Sequence, residues 1–145
     1  MGRRIPKTLE ALAAIGADVP PAVLEARDLP APEPRCIVHG DLHFRHVLVE
    51  CGAVTGVIDW GDVCRGDPSV DLALYWCALS PAGRAEFLAA YGPVTDDQLL
   101  RARVLALFLC AVLALYGDHE GMPALRDEAV AGLDRAASGY RNFAQ

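Results

Sequence analysis

Two stretches of the chain concentrate side chains that can do chemistry. His39-Gly40-Asp41-Leu42-His43-Phe44-Arg45-His46 brings imidazoles, a carboxylate and a guanidinium into one short run. Ile58-Asp59-Trp60-Gly61-Asp62 adds two more carboxylates. A carboxylate suits a hard divalent cation such as Mg²⁺, which takes oxygen donors and keeps several waters. A second carboxylate can accept the proton of an attacking alcohol. An acid-rich loop mouth with imidazoles is therefore equipped to hold a cation and to orient a hydroxyl group.

The elements around these residues decide whether they meet. Residues 46–50 (HVLVE) and 54–60 (VTGVIDW) read as β-strands, joined into a hairpin with Gly52-Ala53 as its turn. In that register Cys51 faces Val54, Glu50 faces Thr55 and His46 faces Asp59. Directly opposed residues hold their Cβ atoms about 4.5–5.5 Å apart on one face, so His46 and Asp59 are expected to converge at the open end. Asp41 lies in the loop that enters the hairpin. The flanking runs Cys36-Ile37-Val38, Val47-Leu48-Val49 and Val57-Ile58 are apolar. Ionisable groups that interrupt buried strands cost stability unless they are satisfied. Residues 61–69 (GDVCRGDPS) read as loop.

The remainder is helical. Residues 7–17 place Leu9, Leu12 and Ile15 at helical spacing, with Gly16 as the stop. A further turn or two of helix spans 21–27, and three prolines keep 29–35 extended. Residues 71–79 form a helix. Ser80-Pro81 opens another to about residue 91. Thr95 and Gln98 fit a capping box that opens a long apolar helix to residue 116, stopped by Gly117. Pro123 opens a last amphipathic helix to about residue 138. The expected fold is α+β and mainly helical, one domain over 1–145 with a helical lead-in at 1–34, the catalytic loop and hairpin at 35–70, and a helical subdomain at 71–145.

His39-Gly40-Asp41-Leu42, with a polar residue five positions after the Asp, matches the kinase catalytic-loop pattern H-R-D-x-x-x-x-N. Asp59 follows His46 by 13 residues, where kinases carry the Asp of Asp-Phe-Gly. The wording HGDLH…IDWGD resembles the aminoglycoside phosphotransferase family, kinase-like enzymes that phosphorylate small hydroxyl compounds, over roughly residues 35–76. The resemblance implies a protein-kinase-like C-terminal lobe and makes Mg²⁺ and ATP the expected cofactors, with a small hydroxyl-bearing molecule as acceptor. It makes Asp41 the catalytic base and Asp59 the carboxylate that bridges metal and nucleotide phosphates. It places His46 where the family usually has a metal-binding Asn, a departure, because imidazole is softer than the oxygen donors Mg²⁺ prefers. His43 and Arg45 are candidates for substrate or phosphate contact. Asp62, Arg65 and Asp67 come on the next loop, where an acidic lip would suit a cationic substrate. His39 is expected to pack and hydrogen-bond the loop, and Asp71 to cap the next helix or anchor the loop.

Composition sets further limits. The chain has 145 residues and a net charge of −6, with 13 basic residues of which Lys7 is the single lysine. That excludes a Gly-Lys-Ser/Thr phosphate loop and makes nucleic acid an unlikely partner in electrostatic terms. Five cysteines without CxxC spacing read as reduced thiols of a cytoplasmic protein. No apolar run has the length of a membrane span, so the long apolar helix reads as a core helix rather than as part of a membrane-surface protein. A kinase of this kind also needs a five-stranded nucleotide-binding lobe with a lysine paired to a glutamate, and no such pattern precedes residue 35. Three expectations remain open: a truncated C-terminal lobe of a full enzyme; a short product that works with a nucleotide-binding lobe in trans or as a homodimer; or a non-catalytic metal- or ligand-binding remnant. A metal-dependent hydrolase built on His39, His43, His46, Asp41 and Asp59 is the alternative chemistry. It lacks HExxH spacing, and the offsets of five and thirteen fit the kinase template better.

Overall fold

The structure, a computed structural model, describes residues 1–138. Its order is α1 (Arg4–Ala14), α2 (Pro21–Glu25), β1 (Cys36–Val38), β2 (Val47–Glu50), β3 (Ala53–Val57), β4 (Cys64–Gly66), α3 (Ala73–Ala78), α4 (Pro81–Tyr91), α5 (Asp96–His119) and α6 (Pro123–Ser138). Helices before and after the β segment share one core, in which Leu12 and Val23 meet Leu72, Tyr75, Trp76, Ala102, Leu107 and Cys110.

Local chemistry explains most element ends. Thr95 and Gln98 form the expected capping box at α5, with bonds of 3.2 and 3.0 Å. Ser80 caps α4 through Gly83 N–H at 3.2 Å. Gly16, at φ +68°, follows α1 in the left-handed conformation that favours glycine. Gly117 does not stop α5, which runs on to His119. A Cβ at Gly117 would lie 2.8 Å from Arg126 N, so this glycine serves the close approach of α5 to α6. The left-handed residue of that corner is Gly121, at φ +65°. By length and composition α5 would suit a membrane span. Here its Ala102, Val104, Ala106, Leu107, Cys110 and Ala111 face the core, packed with α1, α3 and α6.

The β segment departs from the sequence reading in three ways. The hairpin turn is Cys51-Gly52, because Glu50 pairs with Ala53. Both turn residues have positive φ, 50° and 80°, as a two-residue turn matching the strand twist demands. The register then shifts between Leu48 and Val49, where Val49 pairs with Val54 but Leu48 with Gly56 and Val47 with Val57. His46 is therefore opposite Ile58, not Asp59, and Ile58 N–H donates to the His46 carbonyl at 3.0 Å. Second, the run read as loop contains β4, antiparallel to β1 with Cys36 opposite Gly66 and Val38 opposite Cys64. Third, the apolar strands are buried only in part: Val38 is buried, but Ile37, Leu48, Val49 and Val54 are exposed. A two-stranded ribbon supplies no second layer, and among the described residues no helix packs broadly across either one.

Buried arginines tie the helical body together. Arg84 donates to the Tyr75, Trp76 and Arg135 carbonyls at 3.3, 2.7 and 2.9 Å. Arg103 donates to the Ala136 and Ala137 carbonyls, both at 2.6 Å. Arg101 reaches Pro30 O at 2.6 Å. The guanidiniums of Arg84 and Arg103 satisfy carbonyls in the last turns of α3 and α6 that the helices leave unpaired, and that of Arg101 ties α5 to the extended segment. Arg84→Met is expected to lower stability by about 3 kcal/mol, since each bond from a charged donor is worth roughly 1.5–3. Urea denaturation checks this, with exposed Arg35→Ala expected to leave the midpoint unchanged.

Candidate functional site

The loop between β1 and β2 is shaped by a contact outside it. The Asp71 carboxylate, just before α3, accepts the His39 N–H at 2.7 Å and the Gly40 N–H at 3.1 Å. Of its two expected roles, Asp71 thus takes loop anchoring; α3 has no side-chain cap. Gly40 sits at φ +93°, and a Cβ there would fall 2.3 Å from the Asp62 carbonyl oxygen. Only glycine fits, because the backbone conformation and the close approach both exclude a side chain.

His39 is buried and fully used. Its Nδ1 accepts from Asp41 N–H at 3.3 Å and its Nε2 donates to the Ile58 carbonyl at 2.8 Å. Its ring lies 4.7 Å from that of Trp60, whose indole N–H donates to Val57 O at 2.9 Å. His39 therefore bridges the loop to the end of β3.

Asp41, His43, His46 and Asp59 converge at the loop mouth. Asp41 Oδ2 lies 3.8 Å from His43 Nε2 and 4.0 Å from His46 Nδ1. His46 Nε2 lies 3.4 Å from Asp59 Oδ2. Asp59 reaches this position from a left-handed backbone conformation, φ 64° and ψ 55°, which Asp tolerates better than most residues. The two residues expected to meet across the hairpin do meet, by a turn after Ile58 rather than by direct opposition. The side chains of Asp41 and Asp59 are 50% and 66% exposed while those of His43 and His46 are 7% and 13%, so the carboxylates are open to solvent and the imidazoles are largely buried beside them. Asp41, His43 and His46 offer potential metal-ligand atoms within 4.8 Å of one another.

His43 Nδ1 accepts from Arg45 N–H at 3.3 Å. Burial, reinforced by the neighbouring His46, holds its pKa below the ordinary 6.5, against the opposing pull of Asp41. Arg45 is exposed and leans over the Tyr116 ring at 5.6 Å. Asp62 is exposed beside Gly40. The other members of the expected acidic lip are committed elsewhere. Arg65 lies on β4 and donates to Pro34 O at 3.2 Å. Asp67 is buried and accepts from Glu33 and Ser69 N–H groups at 3.3 and 2.9 Å. The sequence reading missed the Ile58 carbonyl, which has no side-chain signature, and Trp60, whose place beside Asp59 was the available signal.

Known proteins share this stretch of chain and its fold. A family described as "Phosphotransferase enzyme family" matches residues 2–105. "Uncharacterized protein YcbJ" of Bacillus subtilis (strain 168) is 38% identical over 56 residues, which are 38% of this chain and 18% of that protein. The fold is similar to that of the GDP complex of wild-type aminoglycoside 2'-phosphotransferase-IIIa, with TM-score 0.57 and 19% identity over 94% of this chain and 51% of that one. It is also similar to macrolide 2'-phosphotransferase type I, with TM-score 0.50 and 25% identity over 89% and 47% of the two chains. The chain thus spans about half the length of the solved structures it matches.

Two outcomes are expected. Asp71→Ala frees two loop N–H groups, so hydrogen exchange at His39 and Gly40 should accelerate while that of α5 stays slow. A native His43 pKa below 6.5 means the unfolded chain binds the proton first as pH falls. The stability carried by neutral His43 is then present above about pH 6.5 and lost as pH drops through the native value. Urea midpoints at pH 7.5 and 5.5 should show the decline, and His43→Gln should reduce it.

Proposed function

Because the chain belongs to the phosphotransferase enzyme family, we propose that its loop mouth performs the acid–base and charge-neutralising part of phosphoryl transfer to a small hydroxyl-bearing acceptor. The observation that carries this reading is the convergence of two open carboxylates, Asp41 and Asp59, on one loop anchored by Asp71. Asp41 is the base that orients the acceptor hydroxyl and takes its proton. Its backing by His43 Nε2 at 3.8 Å holds the carboxylate at the mouth without burying it. The exposed Asp62 adds negative charge beside the loop, which favours a cationic acceptor of the aminoglycoside kind. Arg45 and Arg65 are exposed, but each is held against another part of the fold.

Phosphoryl transfer of this type uses a nucleotide and divalent cations. The exposed Asp59 carboxylate fits a hard cation that also binds nucleotide phosphates. His46, the second expected ligand, supplies nitrogen, which Mg²⁺ takes reluctantly. Asp59 is therefore the residue that would hold Mg²⁺ and bring its charge to the phosphates. The described residues contain two two-stranded sheets and no larger one to cradle a nucleotide. Turnover accordingly calls for nucleotide contacts from outside the described residues, in the same chain or from a partner.

The test is phosphate transfer from ATP or GTP to aminoglycoside and macrolide acceptors, monitored by ³¹P NMR. The unmutated protein should yield a phosphate ester, and Asp41→Asn should slow it by roughly 10²–10⁴-fold. Turnover that survives Asp41→Asn removes the base assignment. Absence of calorimetric nucleotide binding at millimolar concentration removes autonomous transfer by this chain and favours the ligand-binding reading, for which the imidazole at 46 is the supporting observation.

A further inference from the structure

A cavity of about 720 Å³ opens at the end of the β1–β4 ribbon away from the loop mouth. Pro34 and Gly66 line it, where Arg35 N–H donates to Gly66 O at 3.0 Å; β1 leads from there to His39 at the mouth. None of Asp41, His43, His46 or Asp59 lines the cavity. Its volume is that of a small-molecule site.

The lining is basic in a chain that is acidic overall. Arg3, Arg4, Lys7 and Arg101 contribute four cations against one carboxylate, that of Asp67. Both Asp67 oxygens already accept backbone N–H groups, from Glu33 and Ser69. Arg3 is the N-cap of α1, and Arg4 and Lys7 follow in a helix start that has no acidic residue in its first turn. That is the positive end of the helix dipole, which repels cations and favours an anion. Among the described residues no carboxylate pairs with Arg3, Arg4 or Lys7. Deeper in the lining are two donors that the fold does not use. Ser69 is fully buried and Arg101 is 4% exposed. The Ser69 hydroxyl and the Arg101 Nε–H have no hydrogen-bond partner among the described residues. The other guanidinium nitrogens of Arg101 are spent on the Asp97 and Pro30 carbonyls, at 3.3 and 2.6 Å. A buried donor left unpaired carries its full desolvation cost, and a guanidinium N–H can only donate. An oxyanion answers both donors and the surrounding charge at once. Four cations against one carboxylate favour a doubly charged phosphate over a singly charged carboxylate. Pro32, Val70 and Leu105 make part of the lining apolar, a surface for an organic group. We infer that this cavity binds a small organic phosphomonoester, with Ser69 Oγ and Arg101 Nε as its buried contacts and Arg3 and Lys7 adding charge from α1. The site is separate from the transfer chemistry at the mouth, and neither reading needs the other.

The test is an NMR titration of the ¹⁵N-labelled protein with phenyl phosphate, without metal or nucleotide. The Arg101 Nε–H and Ser69 amide signals should shift saturably at millimolar phenyl phosphate and fit one site. Ser69→Ala removes only the unpartnered hydroxyl and should weaken binding by about tenfold, the worth of a hydrogen bond to a charged group. Arg3 and Lys7 are exposed, so Arg3→Gln/Lys7→Gln keeps the fold and should weaken binding by about threefold or more. Acetate should need about tenfold higher concentration to move the same signals. An unmoved Arg101 Nε–H signal would leave water as the partner of these donors and overturn the assignment. So would affinity unchanged by Ser69→Ala, shifts largest at Asp41 and Asp59, or acetate as potent as phenyl phosphate.

Discussion

The candidate site depends on one carboxylate that is spent on the backbone of its loop. Asp71 accepts two consecutive backbone N–H groups, those of His39 and Gly40. Hydrogen bonds to a charged acceptor are worth about 1.5–3 kcal/mol each, enough to select one loop conformation from many. Asp71 is itself fixed by its own neighbours in the chain. Leu72, Tyr75, Trp76 and Cys77 are buried in the main core, so the loop takes its position from the helical body and not from the exposed hairpin beside it. His39 then passes that position on to Ile58, and Ile58 sets where Asp59 turns.

The same logic runs through the body. Arg84, Arg101 and Arg103 are buried, and each donates to backbone carbonyls, while Arg84 and Arg103 also lie over the Trp76 ring. A planar guanidinium can serve two or three carbonyls at once, while a lysine ammonium on its flexible stem cannot reproduce that fork. This gives a structural use for the strong excess of arginine over lysine. Part of the positive charge counted in the sequence is interior framework and is not available to a partner.

The hairpin shows the converse. It carries the apolar side chains of Leu48, Val49 and Val54 into solvent, yet its open end holds His46 and Asp59 at 3.4 Å. The chain spans about half of the solved structures it matches. Asp41, His46, Asp59 and Asp71 all lie within the stretch that the phosphotransferase enzyme family matches. The carboxylates of Asp41 and Asp59 and the imidazole of His46 are thus gathered within one short stretch of the chain.

Some of this was legible in the residues themselves. Capping chemistry at Ser80 and at Thr95 with Gln98, the helical spacing of the apolar residues and the offsets between Asp41, His46 and Asp59 are local properties, read within a few residues of chain. Other features were not. The turn at Cys51-Gly52 and the register shift after it depend on strand twist. The passage of α5 through Gly117 depends on the approach of α6, and the burial of Asp67 depends on the segment around Glu33. The orientation of the His46 ring depends on the Asp41 backbone carbonyl, a group which every residue carries and no sequence pattern marks. Sequence alone determined which chemical groups were present and roughly where they would gather. Tertiary structure decided which of them stay open to a ligand, because burial and hydrogen-bond partners are set by residues distant in the chain.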